Sequence, residues 1–185
     1  MKDEILEAEV HIDEYRTYRQ DRGGERKGGG VITYVNTALT VTQEERYTNG
    51  VCDAIYVKIE EMNLGIINIY RPPSSDIDSF DDILQKIKEW TSNTRRELVL
   101  IGDMNFCTMN AWTESDKDSL REAIIGKKKT QWGREFTQAI NLLEFIEDNC
   151  LTQWVIEETR KNNILDLLFT NSLTIRGTEV IKNSI

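Results

Sequence analysis

The sequence predicts an α+β fold in which strands outnumber helices, and three observations carry that prediction. Runs rich in β-branched and aromatic residues recur at 31–35, 54–60 and 64–70. Two later stretches place apolar residues at helical spacing, through Ile77, Phe80, Ile83, Leu84, Ile87 and Trp90 and again through Phe136, Ile140, Leu143 and Ile146. Between them a short apolar run, ELVLIGD at 97–103, has the composition of a strand buried on both faces.

Taken in order, the first 30 residues give a charged opening, a short strand in EYRTYRQDR and a hairpin turn in GGERKGGG. VITYV follows as a strand, and AIYVKIE with LGIINIY reads as a strand pair joined in a hairpin. Pro72 and Pro73 end the last of these, and SSDIDSFDDILQKIKEW opens behind capping Ser and Asp residues as an amphipathic helix. ELVLIGD delivers Asp103 at its carboxyl end. Residues 106–130 are polar and irregular, with Lys127, Lys128 and Lys129 in a surface loop, before the second helix. LTQWVIE, NILDLLFTN and RGTEVIKNSI are expected as three more strands, and no internal repeat is present.

A chain of 185 residues fits one domain, and 39% hydrophobic with 30% charged residues is a globular balance that excludes disordered, collagenous and membrane classes. No stretch reaches the roughly 18 apolar residues of a membrane span, and residues 1–9 are too acidic for a signal peptide, so an intracellular protein of nucleus or cytoplasm is expected. Cys52, Cys107 and Cys150 form no CxxC pair and have no histidine cluster to complete a zinc site, and are expected as reduced, mostly buried thiols. Asp and Glu outnumber Lys and Arg by 32 to 23, a formal charge of −9 that offers no broad basic surface for nucleic acid. Clustered carboxylates holding a hard cation reconcile an acidic protein with a phosphate substrate. Composition leaves the oligomeric state open.

The sharpest site signal is IGDMNF, where a buried strand delivers Asp103 and, two residues on, Asn105. Positioning an attacking water, stabilising a charged phosphorane-like transition state and neutralising a leaving oxygen suit Asp, Asn and a divalent metal. The same residues also serve as a strand-ending turn, where Gly, Asp and Asn predominate for backbone reasons. Asp166 stands among leucines in NILDLLFTN and is either a functional carboxylate or the solvent-facing member of an alternating edge strand. Tyr70 and Arg71 end a strand, offering a phenol and a guanidinium to a phosphate or to solvent. His11, the single histidine, is expected exposed and outside any catalytic arrangement, and the run Gly28, Gly29, Gly30 precedes a strand and so cradles no phosphate.

In order and spacing, GGGVITYV, IINIYRPPSS, LVLIGDMN and LTQWVIEETRKNNILDLLFTN together resemble the endonuclease domains of non-LTR retrotransposons, within the endonuclease/exonuclease/phosphatase superfamily. The resemblance runs from about Tyr15 onward and implies a four-layer α/β/β/α sandwich of DNase I type, here incomplete, with the site where strand ends of two sheets converge. It implies that Asp103 orients or deprotonates the attacking water and Asn105 holds the scissile phosphate. Tyr70, in an Asn-x-Tyr segment with Asn68, contacts the phosphate or leaving group, Asn68 and Arg71 bind substrate, and Asp166 orients the apparatus. It implies Mg²⁺ or Mn²⁺ as cofactor, DNA as partner and a reverse transcriptase in the same polyprotein.

Two parts of the family pattern have no counterpart. These are an N-terminal strand region with an asparagine and a metal-binding glutamate, expected before Lys2, and a C-terminal Ser-Asp-His segment expected beyond Ile185. Little or no cleavage by this chain alone is therefore expected, with bared sheet edges that invite aggregation. A catalytically dead remnant that binds protein or nucleic acid, and a phosphatase of phosphoinositides or other small phosphoesters, are the competing readings.

Overall fold

The computed structural model describes residues 7–22, 30–92, 96–106, 117–118, 133–160 and 163–181. Strands β1 (Tyr15–Asp21) and β2 (Gly30–Asn36) pair antiparallel as a two-stranded sheet. A six-stranded sheet is formed by β3 (Val41–Thr48), β4 (Asp53–Ile59), β5 (Leu64–Tyr70), β6 (Glu97–Asp103), β7 (Thr152–Gln153) and β8 (Asp166–Thr170). Its spatial order is β3-β4-β5-β6-β8-β7, and every neighbouring pair is antiparallel except β5 with β6. That parallel pair needs a crossover, which α1 (Ile77–Thr91) supplies; α2 (Gly133–Asp148) lies between β6 and β7 in the chain.

Strand β4 reads as a nearly continuous apolar run because both its faces are covered. On one side, Ala54 and Tyr56 of β4, Ile67 and Ile69 of β5, and Leu98 and Leu100 of β6 pack with Phe80, Ile83 and Ile87 of α1 and with α2. On the other, Ile55, Val57 and Ile59 pack against Tyr18, Val31 and Val35 of the two-stranded sheet. The described layers are thus helices, large sheet and small sheet, as expected of an incomplete α/β/β/α sandwich.

Helix α1 starts where Asp76 accepts a hydrogen bond from the Ser79 amide at 2.7 Å, and its inward face is the apolar stripe seen in the sequence. Each fully buried side chain of that stripe contributes about 1.5–3 kcal/mol. Trp90 stacks on Tyr56 with centroids 6.0 Å apart, and Asn141 of α2 donates to Asp81 of α1 at 2.5 Å.

Three elements differ from the sequence reading. Strand β3, VTQEERYT, is polar and has no fully buried residue; as the sheet's edge it has a neighbour on one side only and so shows little apolar alternation. The strand expected in LTQWVIE stops after Thr152–Gln153, because the Gln153 amide donates to the Val155 carbonyl at 2.7 Å and accepts from the Val155 amide at 2.8 Å, replacing a strand partner. The strand expected in RGTEVIKNSI is absent over residues 176–181, residues 182–185 lying outside the described ones: Ile181 is 78% exposed, and Thr178 Oγ1 bonds the Trp154 carbonyl instead of joining a ladder. The loop lysines, the turn at 23–29 and Cys107 lie outside the described residues. Cys52 is buried, with burial pushing its thiol up to about 12, whereas Cys150 is exposed.

Gly102 fixes how closely β6 approaches β5. Its φ is +149°, and a Cβ there would lie 1.8 Å from the Ile69 carbonyl oxygen. Gly102→Ala is expected to cost about 3 kcal/mol or more, lowering Tm by roughly 6–12 °C in a chain of this size. Calorimetry checks it; a fall under about 2 °C would mean that β6 shifts freely away from β5.

Candidate active site

The residues singled out in the sequence converge at the carboxyl ends of β5 and β6. In the register, Asp53 of β4 is opposite Tyr70 of β5, Ile55 is opposite Asn68, and Asn68 is beside Ile101 of β6. One further step of two residues puts Tyr70 beside Asp103, and Asp103 is opposite Asp166 of β8. Laterally paired residues share a face, so Asp53, Tyr70, Asp103 and Asp166 form a transverse row on the side that faces the small sheet. Three strand spacings make that row about 14 Å long.

Asn68 lies one step behind the row and bridges the sheets. Its Nδ2 donates to the Ile32 carbonyl at 2.9 Å and to Thr33 Oγ1 at 3.3 Å, both on β2. Tyr70 packs at the edge of the same intersheet core.

The turn after β6 uses its backbone polar groups fully. The Arg71 amide donates to the Asp103 carbonyl at 2.9 Å, and the Met104 and Asn105 amides both donate to the Leu165 carbonyl, at 2.9 and 3.3 Å. Arg71 Nη1 donates to the carbonyls of Met104 at 2.7 Å and Asn105 at 3.1 Å, while Asn105 Nδ2 returns a bond to the Arg71 carbonyl at 2.9 Å. Asn105 has φ +50°, a left-handed conformation that Asn tolerates better than most residues. The turn and site readings of Asp103 and Asn105 are therefore compatible, since this turn is what sets Asp103 in place.

Arg71, which the sequence offers as a phosphate ligand, is only 1% exposed. Besides the two carbonyls, its guanidinium bonds Gln138 Oε1 of α2 through Nε at 3.1 Å and through Nη2, and it lies 4.1 Å from the Phe106 ring centroid. Its place is beneath the site. Gln138, 0% exposed, is a part of this arrangement that the sequence reading passed over; a glutamine on the apolar face of a predicted helix is the signal that marks it.

Asp103 is half-buried, and its Oδ1 is buried with no hydrogen-bond partner among the described residues. Burial pushes its pKa above the ordinary carboxylate range, hydrogen bonds from Asn105 draw it back, and the Asp166 charge raises it again. Asp166 itself is exposed while Leu167 and Phe169 beside it are buried, the alternation expected of a strand. His11 is exposed, with its Nε2 3.2 Å from Asp13 Oδ1. A concavity of about 490 Å³ lined by Arg96, Glu97, Asp148 and Cys150 opens at the amino end of β6, away from this row.

The family model described as endonuclease–reverse transcriptase matches residues 64–184, which include Asn68, Tyr70, Asp103, Asn105 and Asp166. The chain belongs to this family. Within the endonuclease/exonuclease/phosphatase superfamily, its fold resembles a mannosyl-6-phosphatase of Bacteroides thetaiotaomicron, at TM-score 0.52 and 11% identity, over 86% of this chain and 63% of that one. It also resembles the endonuclease domain of TRAS1, a telomere-specific non-LTR retrotransposon, at TM-score 0.50 and 14% identity, over 87% of this chain and 68% of that domain. The chain thus spans under two thirds of the first of these structures. A search of curated proteins returns no match. Among the described residues no helix is long and apolar enough to cross a membrane.

Members of the superfamily generally use divalent metals, and the donors in this chain fit such an ion in part. Asp103 and Asp166 are hard oxygen donors, and the partnerless Asp103 Oδ1 beside a second carboxylate is a place that a cation would satisfy. In number they fall short: among the described residues no group of three or more His, Cys, Asp or Glu is placed to hold a metal.

Two outcomes follow from this geometry. Because the folded Asp103 carboxyl holds its proton to higher pH than its ordinary value of 3.8, the native state binds more protons across that window, and stability falls as pH rises through it. Asp103→Asn is therefore expected to raise Tm at pH 7 by about 2–4 °C, with the gain fading below pH ~4. A lower Tm at pH 7 would contradict it. Arg71→Met leaves the Met104, Asn105 and Gln138 oxygens without their donors, and is expected to cost about 3 kcal/mol or more in urea denaturation.

Proposed function

We propose that this chain is the phosphodiester-cleaving part of a retroelement endonuclease that nicks one DNA strand and leaves a 3′ hydroxyl from which reverse transcription is primed. The observation that carries the reading is Asp103, half-buried at a strand end, opposite Asp166 and with one carboxylate oxygen that no described residue satisfies. The family match and the likeness to the TRAS1 domain support the retroelement context, and a reverse transcriptase in the same polyprotein follows from that context.

In this reading Asp103 accepts the proton of the attacking water as its oxygen bonds to phosphorus, and the raised pKa suits a general base. Asp166, opposite Asp103 across β6 and β8, orients the attacking water in line. The Tyr70 phenol donates to the phosphate and the leaving 3′ oxygen, Asn105 steadies Asp103 through its hydrogen bonds, and Asn68 keeps the two sheets at the separation that Tyr70 requires. Arg71 acts from below by fixing the Asp103 to Asn105 turn. A divalent cation, Mg²⁺ or Mn²⁺, supplies charge neutralisation at the phosphate when bound.

Supercoiled plasmid incubated with the 185-residue chain and Mg²⁺ is expected to be nicked slowly, with EDTA abolishing the reaction and Asp103→Ala reducing it by about 100-fold or more. DNA retained without cleavage by folded protein would favour a binding remnant instead. Neither cleavage nor retention would remove DNA as the substrate.

A further inference from the structure

One cluster on the same row is not used by the reading above. Arg22 follows β1, and its guanidinium carbon lies 4.6 Å from the centroid of the Tyr70 ring. Its Nε lies 3.6 Å from Asp53 Oδ2, with the two side chains 12% and 0% exposed. The other Asp53 oxygen accepts from Thr48 Oγ1 of β3 at 2.7 Å. Arg22 Nε and Nη2 and Asp53 Oδ2 are all buried, and none has a hydrogen-bond partner among the described residues.

We propose that Arg22 is a positioning residue for Tyr70: neutralised by Asp53, it presses the tyrosine ring between the two sheets and fixes where the phenol stands relative to Asp103. This rests on the reading of the row as a phosphodiester site.

Three points favour a clamp over an anion-binding site. Asp53 already balances the guanidinium charge, so a phosphate would meet a neutral pair with a carboxylate in its way. A guanidinium stacks on an aromatic face, which a compact ammonium does less well. The pair is also tied at both ends, to β3 through Thr48 and to the small sheet through the position of Arg22 after β1, so it reports the sheet separation directly to the Tyr70 ring. The balance of charge is consistent: burial pulls the Arg22 pKa down, but Tyr70 and then Asp53 outweigh it and leave it raised. Burial also lifts Asp53 against the bond from Thr48 and the nearby Arg22 charge, the mark of a pair held in a dry place.

The test combines tyrosine-selective NMR with nicking of supercoiled plasmid in Mg²⁺, for the wild-type chain, Arg22→Lys and Arg22→Gln. The six tyrosines are few enough for Tyr70 to be assigned with a Tyr70→Phe variant. In the wild type, Arg22 side-chain protons should show ring-current shifts and Overhauser contacts to Tyr70. Arg22→Gln should lose both, shift the Tyr70 ring resonances and lower kcat about tenfold or more at little change in KM, with partial recovery in Arg22→Lys. If Arg22→Gln does not fold, Arg22→Gln with Asp53→Asn removes the orphaned charge and serves for the same readouts. Tyr70 resonances unmoved in the folded glutamine variant, or no wild-type contact between Arg22 and Tyr70, would overturn the clamp. Failure of the wild type to nick would count against the phosphodiester reading alone, because the NMR arm decides the clamp without it.

Discussion

A guanidinium at the end of β5 holds three separate pieces of this protein in one place. Arg71 binds its own strand end to the turn after β6 through two carbonyls, and binds that turn to α2 through Gln138. A buried cation is costly unless its donors are placed against oxygens, so the positions of those oxygens are constrained as strongly as Arg71 itself. Gln138 extends the constraint, since its Nε2 donates to the Asp76 carbonyl at 2.6 Å and so reaches the cap of α1. The strand that carries Tyr70, the turn that carries Asp103 and the crossover helix are thereby referred to one point.

The other face is organised differently. Between the two sheets the contacts are fewer and partly polar: a small apolar core, the Asn68 bridge and the Arg22 to Asp53 pair. Polar groups in such a place add direction that apolar packing lacks, because each must find its partner in one register. The site row sits between a rigid floor on the helix side and a wall whose distance is set by a handful of directional bonds.

Much of this was legible in the sequence where one local signal dominates. Helices α1 and α2 follow from apolar spacing, and β4, β5 and β6 from apolar runs long enough to be buried on both faces. The turn chemistry of Gly102, Asp103 and Asn105 also announced itself. What was not legible depends on partners distant in sequence. Strand β3 is polar because it is an edge, and no local pattern distinguishes it from a loop. Arg71 looks like a surface cation until Met104, Asn105 and Gln138 close around it. The cluster of Arg22, Asp53 and Tyr70 joins three strands, and its members lie too far apart in sequence to read as one group. Residues 176–181 have the composition of a strand but no ladder to join.

The edge made by β3 has its own bearing on behaviour in solution. Glu44, Glu45 and Arg46 stand exposed along it, and Arg46 is bonded to Glu44 within the strand, so its charges are partly occupied with one another. A second copy approaching that edge would have to line its own backbone against this row of carboxylates on a chain that already carries net negative charge. Lateral sheet growth from β3 is therefore resisted by electrostatics that salt weakens, and at high ionic strength this strand, eight residues long, becomes the more permissive place for chains to add.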